Sequence, residues 1–257
     1  MRPALVLLAL WLGPLAPAAS VDSLARPVAR KTVAVLRFDN NSGDTQYDPL
    51  GKGVAAMMTT DLGTVDAIQL VERERMQDLV TEMQLQNSRL FDPKTAAQLG
   101  KLVGAQYIVT GAIVALDPRI RMDTRVIRVE TGEIVKTAQV TGDQKKFFDL
   151  QQKLSKELIK GLDVALSPDE EQKLQAQQES ERVDDLVVQL HYSEALDLFD
   201  RKLYVEAAEK MGQVVKEAPQ SSLVGLTYRM MSQRAKQEAK QKTTNKLKGW
   251  LKGKIDG

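Results

Sequence analysis

The residues best placed for chemistry in this chain gather in one short stretch, Asp39-Asn40-Asn41-Ser42-Gly43-Asp44, with Asp48 close behind. Oxygen donors at Asp39, Asn41, Asp44 and Asp48 are of the kind that hold a cation, and a loop between a strand and a helix is a common place for a ligand. The stretch departs from a calcium loop, because Gly43 stands one residue early for the sharp turn and no glutamate occupies the closing position. Turn formation explains the same composition, since Asp and Asn bond their own backbone and Gly takes positive φ. Asp39, Asn41, Asp44 and Asp48 are therefore a candidate ligand loop set against a plain turn.

Most other chemistries lack their residues. The chain has no cysteine and one histidine, His191, so zinc or copper sites with the usual ligands cannot be assembled within it. His191 falls at a packing position of a helical segment. Gly51-Lys52-Gly53 has neither the glycine-rich cradle nor the following serine or threonine of a phosphate loop, and no nucleophile elbow is present. The pairs around Glu72, Arg73, Glu74 and Arg75 read as a solvated helix entry. No catalytic residue, cofactor or metal is expected. A net charge of +2, with 27% charged residues, carries no field that would imply a nucleic-acid partner.

The elements that must carry the loop follow from periodicity. Residues Met1 to Ser20 have a basic start at Arg2, an apolar run from Ala4 to Leu12 and small residues around Ala16 to Ala18, the pattern of a signal peptide cleaved near residue 18. Export follows, to the periplasm or beyond. From Thr32 to Phe38 the chain reads as a central strand, and Pro49 to Leu62 as a helix with Val54, Met57, Met58 and Leu62 on one apolar face. Ala67 to Val71 is a second strand. The next helix turns Met76, Leu79, Val80 and Met83 inward, and Asp92-Pro93 opens another that stops at Gly104. Tyr107 to Leu116, Ile120 to Val129 and Ile134 to Val140 form an antiparallel meander, and Lys145 to Leu166 is a last amphipathic helix. The fold class is α/β (α+β): a mixed sheet flanked by helices.

Four blocks in this order carry a resemblance. They are the opening strand with its polar loop and alanine- and methionine-rich helix, Leu70 to Leu79, Gly104 to Ile113, and Arg125 to Val135. Together, over about residues 31–166, the chain resembles the periplasmic domain of the CsgG family of curli secretion components. Parts of the pattern are shared with the N-terminal module of TolB-like proteins and with FlgO-type envelope proteins. The resemblance implies a bacterial envelope protein and possible edge-to-edge ring assembly. Three departures limit it, one being that the loop Asn40 to Gly53 does not reproduce the family's aromatic and asparagine constriction. Where the family inserts membrane-spanning hairpins, this chain has only Ala115 to Arg119 and Thr141 to Gln144, too short for strands of about 9 to 11 residues. The family's lipid-bearing cysteine is also missing.

From Pro168 onward the period is helical, with a domain boundary expected at Ser167-Pro168. Residues 168–240 form an all-helical module in which Ala195, Leu198, Tyr204, Ala207, Met211 and Pro219 have spacings similar to a tetratricopeptide (TPR) repeat, a candidate protein-binding hairpin set against a plain helical hairpin with no binding groove. Residues 241–257 are a basic arm whose Leu247, Trp250, Leu251 and Ile255 share one helical face, allowing peripheral membrane contact, set against a plain solvated lysine-rich terminus. The expected function is a non-catalytic, exported envelope scaffold or assembly factor that binds other envelope proteins and is not an integral membrane protein, with homo-oligomerisation possible. The alternative is a periplasmic ligand- or glycan-sensing module using the Asp39 to Asp48 loop.

Overall fold

A computed structural model of the protein describes residues 30–83 and 92–255. The expected signal peptide lies outside the described residues. Strand β1 (Lys31–Val35) ends sooner than the apolar run suggests, and the chain rejoins the sheet as a two-residue strand, β2 (Asp39–Asn40). Helix α1 (Leu50–Gly63), β3 (Ile68–Leu70), α2 (Arg73–Glu82) and α3 (Pro93–Val103) follow. Then come β4 (Tyr107–Leu116), β5 (Arg119–Arg128), β6 (Ile134–Asp143) and α4 (Phe147–Gly161). The sheet order is β3-β1-β4-β5-β6, with β2 also on β4. β1 runs parallel to β3 and β4, whereas β4, β5 and β6 form the expected antiparallel meander.

Strand alternation assigns the two faces. Val33, Val109, Ile113, Ile120, Met122 and Val126 pack under α1 and α4, while Ala34, Leu36, Ile108, Ile127 and Val129 pack under α2 and α3. The Phe38 ring lies where a Cβ on Gly111 would come within 2.2 Å of it, so Gly111 is what lets the ring cross β4. That crossing explains the break in the first strand. Leu36 N–H donates to the Val109 carbonyl, but Phe38 N–H donates to the Gly51 carbonyl at the start of α1 and leaves the ladder.

Local signals set α3: the Asp92 side chain accepts from Thr95 N–H at 2.9 Å, Pro93 fills the first turn, and Gly104 ends the helix at φ 71°. One inward assignment and one set of helix bounds need correction. Met83, at the end of α2, is exposed, and α4 begins at Phe147 after a 3-10 turn and ends at Gly161, ahead of Asp163 at φ 59°. Neither insertion point carries a hairpin: Leu116 pairs directly with Arg119, and β6 runs from Asp143 into the turn Gln144–Lys146.

Ser167 and Glu170 form a capping box that opens α5 (Pro168–Glu181), and Glu170 also accepts from Asp66 N–H at 3.1 Å. Leu174 of α5 joins the cluster beneath α1 and α4. Helices α6 (Leu186–Asp200), α7 (Tyr204–Glu217) and α8 (Ser222–Ile255) enclose a third cluster centred on Ala195, Ala207, Met211, Val224 and Met231. α1 is buried on two sides, not one. A Cβ on Gly53 would lie 2.0 Å from Ser193 Oγ, so the glycine permits α6 to close onto the side of α1 away from the sheet.

Candidate functional site

The loop that follows β1 is organised by its own side chains. Asn40 Nδ2 donates to Asp48 Oδ1 at 2.6 Å and to the Asp44 carbonyl at 2.8 Å, while Asn40 Oδ1 accepts from Ser42 N–H at 2.9 Å. Asp44 caps a 3-10 turn by accepting from Gln46 N–H at 3.0 Å. Ser42 Oγ accepts from Ala115 N–H at 2.7 Å, extending the attachment to β4 beyond β2. Gly43 takes φ 79°, where a side chain would be strained. Asp39 is buried, and Arg37 lies 3.8 Å from its carboxylate.

These four oxygen-bearing residues do not converge on one point. Asp39, Asn41 and Asp48 line a cleft of about 1030 Å³, whereas Asp44 is absent from its walls and serves the turn. No group of three or more His, Cys, Asp or Glu side chains among the described residues could hold a metal ion.

The opposite wall comes from two elements that the periodicity did not connect to the loop. One is the outer face of α2, with Gln77, Asp78 and Thr81; the other is the α6–α7 corner, with Asp197, Asp200 and Arg201. Lys52 ties loop and corner together, its Nζ lying 2.7 Å from Asp197 Oδ1 and 3.0 Å from Asp200 Oδ2. Lys52, Asp197 and Asp200 were invisible as a site in the sequence. Only the Gly51-Lys52-Gly53 spacing hinted at them, because two glycines around a lysine mark close approach by another element.

Within the hairpin, Ala195, Ala207 and Met211 are fully buried, and Leu198 and Tyr204 pack partly against the same cluster. Pro219 stands just beyond the end of α7, as a helix-ending proline should. Two polar ties cross the hairpin: His191 Nδ1 is 2.9 Å from Glu217 Oε2, and Lys210 pairs with Glu194. His191 thus joins α6 to α7. A groove of about 620 Å³ opens on the other side, between α7 and α8, walled by Val205, Ala208, Gly212 and Tyr228. Val205 and Tyr228 are exposed.

A second polar cluster is buried where α1, α4 and α5 meet. Asp61 accepts from Gln151 Nε2 at 2.8 Å and from Gln178 Nε2 at 3.0 Å, and Gln151 also donates to Ser155 Oγ. Burial pushes the Asp61 carboxyl above its ordinary range. Glu181 is raised to about 7, by burial first and by the nearby Asp61 charge second.

Residues 15–122 match the family profile of the curli production assembly/transport component CsgG. Over this stretch the chain is similar to the CsgG family. The match takes in three of the four sequence blocks and ends within β5, leaving the Arg125 to Val135 hairpin outside it. A Rhizobium meliloti (strain 1021) protein bearing an adenylate cyclase name is 24% identical over 147 residues, covering 56% of this chain. The chain matches only 23% of that protein's length. Among solved structures, the LpoB C-terminal domain from Salmonella enterica shows 16% identity and a TM-score of 0.38, covering 45% of this chain and 84% of its own. TolB from Acinetobacter baumannii shows 15% identity and a TM-score of 0.37, covering 53% of this chain and 29% of its own. At both insertion points expected from the resemblance the chain makes only short connections, at Leu116 to Arg119 and at Gln144 to Lys146. No helix among the described residues is long and apolar enough to cross a membrane.

Proposed function

We propose that this protein is a non-catalytic scaffold or assembly factor of the bacterial envelope, exported by its N-terminal segment, in which a CsgG-like domain of about residues 31–166 presents a TPR-like module to another envelope protein. The observation that carries this reading is the α7–α8 groove: exposed Val205 and Tyr228 flank small Ala208 and Gly212, so a partner helix can approach closely and bury apolar surface. The hairpin is held on α1 by the Gly53–Ser193 approach and the Lys52 ion pairs, so the groove has a defined orientation relative to the sheet. Ring assembly through the outer strands β3 and β6 would multiply the number of grooves.

The test is site-specific photocrosslinking in cells at Val205 and Tyr228, with the exposed Lys94 of α3 as control. A discrete partner captured at the first two positions, and lost when Gly212 becomes arginine, supports the reading. Equal labelling at all three positions overturns it. A second reading, a ligand- or glycan-sensing module, is favoured by the cleft that Asp39, Asn41 and Asp48 line. Loss of saccharide binding on Asp39→Ala with an unchanged crosslinking pattern would select it.

A further inference from the structure

Helix α8 is longer than the structure that buries it. Its 34 residues span about 50 Å, at about 1.5 Å per residue. The first half is packed: Val224 and Met231 are buried, and the Arg234 guanidinium lies 5.2 Å from the centre of the Tyr204 ring. Beyond Glu238 burial ends. Every described side chain from Ala239 onward is exposed, including Leu247 at 58% and Trp250 at 59%.

Charge and apolarity on this projection have a definite pattern. Lys240, Lys242, Lys246, Lys248, Lys252 and Lys254 stand against Asp256 alone after Glu238, and Glu238 is itself held by Lys242 at 2.7 Å. In sequence, positions 247, 250, 251 and 255 fall within an arc of about 140° at the helical period of about 100° per residue. Lysines 246 and 248 flank that arc on either side and lysines 242 and 252 lie beyond them, while lysines 240 and 254 fall within it. A solvated terminus needs lysines but gains nothing from a tryptophan and aliphatic residues on a single stripe.

We propose that residues 239–255 dock as a helix on an anionic phospholipid surface, with Leu247 and Trp250 entering the interface and the lysines meeting the headgroups. Lysine stems can lie along the boundary while their ammonium groups reach lipid phosphates, and indole favours the same depth. Because α8 is continuous from the buried Val224 and Met231, docking would also fix the orientation of the α6–α7 hairpin relative to the membrane. This inference is independent of the partner-binding groove, whose crosslinking test reads other residues.

The experiment uses the mature chain without its signal peptide, residues 19–257, in which Trp250 is the sole indole reporter. It is mixed with vesicles containing phosphatidylglycerol or with phosphatidylcholine vesicles, and read by co-sedimentation and fluorescence. Expected are binding to the anionic vesicles with a blue-shifted emission, weakening with salt, and little binding to the neutral ones. Replacing Lys240, Lys242, Lys246 and Lys248 with glutamine should weaken binding by at least about 100-fold, since each lysine contributes about fivefold. Leu247→Ser should cost about tenfold with an unchanged far-ultraviolet circular dichroism spectrum. Absence of binding to anionic vesicles overturns the proposal. So does binding without a blue shift, or the same shift on soluble polyglutamate.

Discussion

Asp61 of α1 accepts a hydrogen bond of 3.0 Å from Gln178 of α5, a residue 117 positions further along the chain. Both are buried, and Gln151 of α4 completes the junction. A carboxylate removed from water must be met by donors, and here three helices supply or carry the groups that meet. Disturbing one member should therefore loosen the attachment of α5 to the sheet's helical layer.

Gln178→Leu removes one of the two glutamine donors and leaves Asp61 partly unsatisfied. Unfolding free energy should fall by about 1–3 kcal/mol at neutral pH, the cost of a stranded buried acceptor. Urea unfolding with an unchanged slope would register it as a shifted midpoint. A midpoint equal to that of the parent protein would show that Gln178 does not support the junction.

Stability should vary with pH through Glu181. Its carboxyl is raised from 4.5 to about 7 in the fold, so between these values the folded protein holds a proton that the unfolded chain has released. Stability is then greatest at the acid end of that window, declines as pH rises through it, and levels off above about 7. Asp61, also raised by burial, acts in the same direction. The Glu181 contribution is at most about 3 kcal/mol, at about 1.4 kcal/mol per pH unit. Glu181→Gln should flatten the profile and make the protein more stable than the parent above pH 7. A parent profile that rises across the window would contradict this.

Gly53→Ala tests the closeness of α1 and α6. The added carbon would lie 2.0 Å from Ser193 Oγ and 3.2 Å from Ser193 Cβ, and Ser193 is pinned by its own bond to the Gln189 carbonyl at 2.7 Å. A loss of about 1–3 kcal/mol is expected from the overpacking. Ser193→Ala in the same chain should restore most of it, because the hydroxyl is the nearer obstacle. Thermal unfolding of the single and double variants measures the coupling, and simple additivity would show that the helices do not meet there.

Lys52→Met removes the cation shared by Asp197 and Asp200. The Lys52 and Asp200 side chains are only 15% and 7% exposed, so water replaces the lost partner poorly. A loss of about 3 kcal/mol is expected, the lower end of the range for a broken buried pair. Added salt should change it little, since a buried pair is weakly screened. A loss abolished by salt would place the pair in solvent instead.

Legibility in the sequence followed the range of the interactions. Asp92, Pro93 and Gly104 announce α3 because a cap, a first-turn proline and a left-handed glycine act within one element. The Ser167–Glu170 capping box is equally local. β2 was missed because two residues carry no periodicity, and its pairing depends on β4 more than seventy positions away. The candidate loop was found by composition, but Asp44 serves the turn, while Lys52, Asp197 and Asp200, which complete the cleft, come from segments that share no local pattern.

By itself the amino-acid order determined the alternation of strands and helices, the tight connections where relatives carry hairpins, and the basic stripe of the last helix. Each rests on neighbours a few residues apart, whose geometry is set by backbone period and side-chain type. Only the tertiary structure decided that α6 lies against α1, that Asp61, Gln151 and Gln178 meet in the interior, and that burial along α8 ends at Glu238. Those outcomes depend on which apolar faces find each other in space, and many spacings along a chain are compatible with the same burial.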